Sequence, residues 1–231
     1  IAAWLQAHAG SIGEEGLELL AHCGIAAPKT AIAQSAEEAA RLAASIGFPV
    51  VLKVISAQAL HKTEAGGVLL DIASREQAEA GFAQIAANLR RFNPEAQLDG
   101  VRVTAMATEG HDLFIGGLQD AAFGPVLFFG VGGVLIEVLG DVQRVVCPSS
   151  RAEISDKLQQ LKAWKLLAGW RGQSAVVTQP FIEAACNLAH LLAAHPEIRE
   201  LDINPLRIAT DGSLLALDAR LRIDHSMGGK P

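Results

Sequence analysis

The stretch ELDINPLRIATDGSLLALDA, residues 200–219, contains two apolar runs on either side of a turn. Its central Thr-Asp-Gly composition predicts two antiparallel strands joined by a short loop. A two-residue Asp-Gly loop would place Asn204 opposite Ala219, whereas a three-residue loop with a left-handed Gly212 would place Asn204 opposite Asp218. We expect the three-residue loop with Gly212 at positive φ, because only that register pairs Asn204 with Asp218.

In that register, Asn204 and Asp218 would stand ~5 Å apart on one face of the hairpin. One amide oxygen and one carboxylate suit Mg²⁺, which takes few protein ligands and leaves its other positions to phosphates and water. Two polar residues at strand ends would give the same pattern without a metal. On these residues alone, both interpretations stay open.

The rest of the chain mixes short apolar strands with helices, in no strict alternation and without repeats, which predicts an α+β fold. Three helices are expected to begin at capping boxes and to end near residues 22, 47 and 91: Ser11 with Glu14, Ser35 with Glu38, and Ser74 with Gln77. Further helices are predicted over 152–163 and 180–194, and strands over 50–55, 68–72, 101–107, 113–118, 126–129, 142–147, 200–209 and 214–223.

A seam near residues 105–110 would divide the chain into two lobes. We expect an N-terminal helix and the first lobe over residues 1–104, a second lobe over 105–224 and a tail over 225–231. Two lobes imply a cleft, which is where ligands commonly bind.

Lys53 and His61 lie in settings that suit phosphate chemistry. Lys53 interrupts the apolar run VVLKVI, residues 50–55, where a lysine either binds an anion or extends its ammonium group past a sheet edge. His61 opens HKTEAGG, residues 61–67. A histidine beside a lysine and before two glycines either accepts a phosphoryl group or lies in a solvated loop.

A glycine-rich segment, FGVGGVLIE, spans residues 129–137. Gly132 and Gly133 would let backbone N–H groups approach a ligand, although the spacing matches neither a P-loop nor a dinucleotide fingerprint. Glu137 follows in an apolar run, where an unpaired buried carboxylate is costly. The segment therefore indicates ligand contact without naming the ligand.

The composition excludes several classes of protein. Half of the 231 residues are hydrophobic and 19% are charged, which excludes a disordered or collagen-like chain. No apolar run reaches the ~18 to 20 residues of a membrane span, and a net charge of −6 argues against a broad nucleic-acid surface. Cys23, Cys147 and Cys186 form no CxxC pair and fit reduced thiols in a cytoplasmic protein. The chain opens at Ile1, so we expect a trimmed product or a piece of a longer polypeptide.

Taken together, these motifs resemble the ATP-grasp subunit of ADP-forming acetyl-CoA synthetases, acyl-CoA synthetases (NDP-forming) that are relatives of succinyl-CoA synthetase. The resemblance covers about residues 14–222 and rests on the order of seven segments: GFPVVLK (47–53), LHK (60–62), GGV (66–68), FGP (123–125), GVGG (130–133), Glu137 and LDINP (201–205). It implies an ATP-grasp fold whose two α+β lobes clamp ATP between them. It also implies the reaction acyl-CoA + ADP + phosphate ⇌ acid + CoA + ATP.

The resemblance further implies roles for individual residues. Lys53 matches the phosphate-binding lysine, and His61 matches the histidine that relays phosphate between the partner's phosphohistidine and the nucleotide. Asp202 corresponds to an acidic position near the arriving phosphohistidine, and Asn204 and Asp218 match the magnesium ligands. Nucleotide contacts are implied for four further residues, the first standing where the family often has glutamate: Asp112, Gly132, Gly133 and Glu137.

The resemblance also implies a partner. CoA binding and the first phosphohistidine belong to a separate subunit or to a domain fused ahead of Ile1, so the chain alone should make no acyl-CoA. The acid and CoA would act through that partner, and no nucleic acid or membrane is expected to bind. Two alternatives remain: the regulatory ATP-grasp-like region of a bacterial protein lysine acetyltransferase, and a phosphate-binding scaffold without turnover.

Overall fold

The computed structural model describes residues 1–58, 65–132, 140–172 and 174–227. Two compact units are present in these ranges: a smaller unit over residues 28–107, and a larger unit that combines residues 1–27 with those from 108 onward. Each unit is a sheet packed against helices. The α+β fold predicted from the sequence is confirmed.

The described ranges contain eleven strands and seven helices. In chain order the strands are β1 (Gly10–Ile12), β2 (Thr30–Ala33), β3 (Val50–Ile55), β4 (Val68–Ile72), β5 (Gly100–Ala105), β6 (His111–Asp120), β7 (Gly124–Val131), β8 (Val142–Val146), β9 (Ile198–Ile208), β10 (Leu214–Ala216) and β11 (Ala219–Ile223). The helices are α1 (Ala2–Ala7), α2 (Leu17–Ala21), α3 (Ala36–Ile46), α4 (Arg75–Phe92), α5 (Arg151–Gln159), α6 (Trp164–Leu167) and α7 (Gln179–Ala194).

The smaller unit is an antiparallel sheet, in the order β2-β5-β3-β4, with α3 and α4 against one face. Leu52 and Val54 of β3 are fully buried toward the helices, while Lys53 and Ile55 are partly exposed on the other face. This alternation follows from the two-residue period of a strand. Gly81 of α4 lies so close to Leu52 that a Cβ there would stand 2.7 Å from the leucine Cδ1, so glycine allows the helix to approach the sheet.

The larger unit is built on an antiparallel sheet in the order β1-β11-β9-β6-β7-β8, with β10 paired to β9. The apolar helix α7 packs against β6 and β7, and α5 packs against α7 and β8. Gly117 of β6 faces α7 so closely that a Cβ would collide with Leu192. The helices therefore cover one face of this sheet.

Two of the predicted capping boxes are confirmed, and the helix predicted from residue 152 has a serine cap that was not predicted. The Ser35 hydroxyl accepts the N–H of Glu38 at 3.1 Å, and the Ser74 hydroxyl accepts the N–H of Gln77 at 3.2 Å. Ser150 caps α5 in the same way, through the N–H of Glu153 at 3.2 Å. Each cap satisfies a backbone donor that the first turn of a helix leaves without a partner.

The prediction that Ser11 caps a helix is wrong. Ser11 lies in β1 opposite Arg222, and α2 begins only after a 3₁₀ turn over Glu14–Gly16. Pairing with β11, far along the chain, overrides the local capping signal. The same pairing joins residues 1–27 to the larger unit, whereas the sequence had suggested that they belong to a first lobe over residues 1–104. The division between the units after residue 107 lies within the expected seam, residues 105–110.

Two other segments differ from expectation. The helix predicted over 152–163 ends at Gln159, because the buried Asp141 carboxylate accepts the N–H groups of Lys162 and Ala163, both at 2.9 Å, and α6 starts separately. The predicted tail begins with a contact to the N-terminal segment, since the His225 ring donates Nε2–H to the carbonyl of His8 at 2.9 Å. None of the described helices is long and apolar enough to cross a membrane.

Candidate functional site

The turn between β9 and β10 has the predicted three-residue geometry. Gly212 has φ +85°, and its N–H donates to the carbonyl of Ala209 at 2.9 Å, while the N–H of Ala209 donates to Ser213 at 3.0 Å. The Asp211 carboxylate accepts the N–H of Ser213 at 2.9 Å and fixes the turn further. A left-handed glycine at this position is typical of a three-residue hairpin with a bulge.

This turn sets the register of the strands that follow. Ala216 lies opposite Leu206 and Ala219 lies opposite Ile203, so Asn204 lies opposite Asp218 between them. The predicted pairing of Asn204 with Asp218 is confirmed. One step further along, Asp202 lies opposite Arg220.

The four polar side chains of this face line one cavity of about 240 Å³, completed by Ala219. Asn204 and Asp218 are half-buried, and Asp202 and Arg220 are exposed. One carboxylate oxygen of Asp218 accepts the N–H of Ala219 at 3.0 Å. We call this the Asn204–Asp218 cavity.

Asp202 keeps access to solvent, yet the protein around it removes part of its hydration. This loss of hydration raises the pKa of Asp202 above its ordinary value. The Arg220 guanidinium opposes the shift, and the Asp218 carboxylate adds to it. Asp202 is therefore held near another acid, in a place where a cation would stabilise both charges.

Two aromatic rings lie on β6 and β7, next to the strand that carries Asp202. Gly116 of β6 lies opposite Asp202, and a Cβ on Gly116 would collide with the ring of Phe128. The Phe114 ring lies 6.1 Å from the Phe128 ring, centroid to centroid. The Phe128 ring therefore covers Gly116, the residue opposite Asp202.

Asp112, predicted to contact the nucleotide, forms an ion pair with Arg207 across β6 and β9. The Nε and Nη2 atoms of Arg207 each donate to one carboxylate oxygen, and Nη1 donates to the carbonyl of Thr108 at 3.1 Å. The hydrogen bond to Asp112 raises the pKa of Arg207. The Gly132 N–H donates to the Asp112 carbonyl at 2.8 Å, so two of the predicted nucleotide residues are adjacent.

Lys53 belongs to the smaller unit. Its strand β3 lies between β5 and β4, so the sheet-edge explanation for a lysine at this position does not apply. Arg102 lies opposite Lys53 on β5, and the two basic side chains share the face that the helices leave uncovered. Two adjacent cations on one face suit an anionic ligand.

Comparison with known proteins identifies the family of the chain. A family model described as an ATP-grasp domain matches residues 7–223. The chain belongs to the ATP-grasp family. It is 37% identical over 207 residues to the beta subunit of acetate–CoA ligase (ADP-forming) I of Pyrococcus furiosus, covering 90% of this chain and 89% of that subunit. The resemblance to the ATP-grasp subunit of ADP-forming acetyl-CoA synthetases is thereby confirmed.

Two further comparisons extend this ATP-grasp assignment. Acetate–CoA ligase (ADP-forming) I of Archaeoglobus fulgidus is 36% identical over 87% of this chain, but the chain spans only 29% of its length. A solved structure of acetyl-coenzyme A synthetase 1 from Ca. Korarchaeum cryptofilum superposes with a TM-score of 0.80 at 30% identity, covering 96% of this chain and 97% of that one. That structure holds coenzyme A and Mg-AMPPCP, with its phosphohistidine segment pointing toward the nucleotide-binding site.

Three predicted site residues of this ATP-grasp chain, His61, Gly133 and Glu137, lie outside the described residues. Three arginines were not predicted from the sequence. Arg220 could have been found, because it follows Asp218 by two positions and so shares its face. Arg102 and Arg207 become apparent only through strand pairing. Arg102 is distant in sequence from its neighbour Lys53, and Arg207 is distant from its neighbour Asp112.

Proposed function

We propose that this chain is the nucleotide-binding part of an ADP-forming acyl-CoA synthetase and that it transfers phosphate between ADP or ATP and a phosphohistidine relay. The observation that carries the proposal is the Asn204–Asp218 cavity, where an amide, two carboxylates and a guanidinium converge in an ATP-grasp chain. The overall reaction is acyl-CoA + ADP + phosphate ⇌ acid + CoA + ATP. The acetate–CoA ligases among the relatives support this reaction.

Mg²⁺ fits the donors of the cavity. In the described ranges no three His, Cys, Asp or Glu side chains form a metal cluster, and Asn204 and Asp218 together offer only oxygen donors. Such a sparse oxygen set suits Mg²⁺, which keeps several waters and binds phosphates directly. When bound, the ion would neutralise phosphate charge during transfer. Asn204 and Asp218 would hold it, with Asp202 close to the phosphoryl group.

The remaining predicted residues have supporting roles. Lys53, with Arg102 beside it, binds nucleotide phosphates in the smaller unit. Asp112 holds Arg207 through its carboxylate and accepts the Gly132 N–H through its carbonyl, so it orders the backbone at Gly132. Gly132, Gly133 and Glu137 are the proposed nucleotide contacts. His61 accepts the phosphoryl group through a neutral ring nitrogen and passes it on.

A partner supplies the other half of the reaction. The relatives include a beta subunit of almost this length and a fused ligase of which the chain spans 29%. We therefore assign CoA binding, the acid site and the first phosphohistidine to a separate subunit or a fused domain.

Calorimetric titration with ADP and Mg²⁺ tests the nucleotide site. The chain should bind Mg·ADP, and even millimolar affinity, roughly −4 kcal/mol, supports the proposal. Lys53→Ala and Asp218→Ala should each weaken binding about tenfold or more, because each removes a charged contact to phosphate or metal. Chelation of Mg²⁺ should weaken it as well.

Two exposed residues provide matched controls. Lys29→Ala removes a lysine from the surface of the same unit, and Asp156→Ala removes an aspartate from the surface of α5. Neither should change the affinity for Mg·ADP. Binding that stays the same in both Lys53→Ala and Asp218→Ala contradicts the site assignment.

A further inference from the structure

Two arginine–acid pairs follow one another on the same face of β9 and β11, and they differ in one respect. Arg222 lies opposite Glu200 and donates to its carboxylate at 2.6 Å. Arg220 lies opposite Asp202 in the same register. Within the described part of the chain, however, Arg220 forms no ion pair with Asp202 or with any other acid. The Arg222 guanidinium is therefore engaged by Glu200, whereas the Arg220 guanidinium has no acidic ion-pair partner among the described residues.

Arg220 and Asp202 both line the Asn204–Asp218 cavity. Among the residues that line it, Arg220 supplies the positive charge, and Asp202 and Asp218 supply two negative charges. The cavity alone is therefore net negative and would repel phosphate. A divalent cation on Asn204 and Asp218 would make the net charge of the cavity positive. The exposed Arg220 guanidinium could then bind an anion there.

We propose that Arg220 is an anion-binding residue whose guanidinium contacts a tetrahedral phosphate or phosphoryl group in the Asn204–Asp218 cavity. The proposal deepens the proposed function, on which it rests for the identity of the anion. A guanidinium presents a planar fork of donors that matches two phosphate oxygens at once. Arg220 serves this role better than Arg222, whose fork is already engaged by Glu200.

The position of Arg220 also suits contact with a phosphoryl group while that group is being transferred. Asp202 lies opposite Arg220 and Asp218 lies two residues before it, so Arg220 is flanked by the acid and the metal ligand of the proposed function. Contact with phosphate oxygens there would offset the repulsion between Asp202 and the arriving anion.

Inorganic phosphate is the probe for this site, with and without Mg²⁺, and its binding can be followed by calorimetry or by ³¹P line broadening. The wild-type chain should bind phosphate only when Mg²⁺ is present. Arg220→Gln should weaken that binding about tenfold or more, since a charge-assisted fork to phosphate is lost, while Arg222→Gln should stay within about twofold. Arg220→Met serves as a second variant that keeps the apolar stem without the charge.

The outcomes separate this proposal from the proposed function. Phosphate affinity that is unchanged in folded Arg220→Gln or Arg220→Met, as checked by thermal melting, overturns the role of Arg220. Absence of phosphate binding to the wild-type chain in Mg²⁺ also overturns it. Phosphate binding that depends on Arg220, in a chain that fails to bind Mg·ADP, leaves this proposal standing and removes the proposed function instead.

Discussion

The chemistry of single side chains in this protein depends on how much water reaches them. Asp202 loses part of its hydration to the protein around it, and its pKa rises. Cys23 and Cys147 are buried in the core of the larger unit, and burial raises the pKa of each thiol to about 11. The acid borders a polar cavity and is available for function, whereas the thiols are enclosed and inert.

The buried thiols give a direct prediction. At pH 8 a pKa of about 11 leaves roughly one thiol in a thousand as thiolate, and Cys186 is also buried. A dithiobis(nitrobenzoate) reagent should therefore label less than one thiol per folded chain within minutes. In guanidinium chloride all three should react. Rapid labelling of two or three thiols in the folded chain would contradict the burial of these residues.

For single side chains, the sequence predicts that Asn204 pairs with Asp218 but does not predict the ion pair of Asp112 with Arg207. The first pair follows from a turn whose residues are local, so its register could be worked out from sequence alone. The second depends on how β6 pairs with β9, and that pairing shifts at a bulge between Leu113 and Ile115. A register that changes along the strands cannot be counted from the sequence.

Among the secondary-structure elements, local turn and cap signals predict well until a distant strand competes with them. Ser35 and Ser74 cap helices as expected, and neither lies in a strand of the described residues. Ser11 carries the same signal, but residues 10–12 pair with β11 instead. The hairpin of β9 and β10 was predictable because its two strands are adjacent in the chain.

The hairpin turn predicts the effect of substituting Gly212. Gly212→Ala places a Cβ at φ +85° and against the carbonyl of Val177, so strain and collision act together. Gly124→Ala is the matched control, because Gly124 has φ +75° but an added Cβ meets nothing within 4 Å. The control should lose about 1–2 kcal/mol of unfolding free energy, and Gly212→Ala should lose more.

Urea unfolding of the two alanine variants measures this difference. Gly212→Ala should also weaken Mg·ADP binding, because the turn sets the register of Asn204 and Asp218. If both variants lose the same stability and bind Mg·ADP equally well, the turn does not control the cavity.

Across the whole molecule, the larger unit is not continuous in sequence. Residues 1–27 join residues 108 onward through β1 and through a bridge between Ala26 and Leu215. Sequence patterns indicated the division near residue 107 but not the return of the N-terminal segment. Long-range pairing of a three-residue strand leaves too little pattern to detect.

The molecule as a whole should also depend on a partner. We expect the purified chain to bind Mg·ADP yet to make no acyl-CoA from acetate, ATP and CoA, because we assign CoA and acid binding to the partner. Addition of the partner region should restore synthesis, followed as CoA thioester. Acyl-CoA formed by the chain alone would contradict this division of labour.

The most direct test of the central claim is net acyl-CoA synthesis by the chain reconstituted with its partner region, compared between wild type and His61→Ala. We predict that His61→Ala abolishes synthesis, because the phosphoryl group has no relay, while Mg·ADP binding stays nearly intact. His22→Ala, which removes an exposed histidine from the end of α2, should keep full activity. Full turnover by His61→Ala would contradict the phosphohistidine relay and favour a regulatory role for this chain.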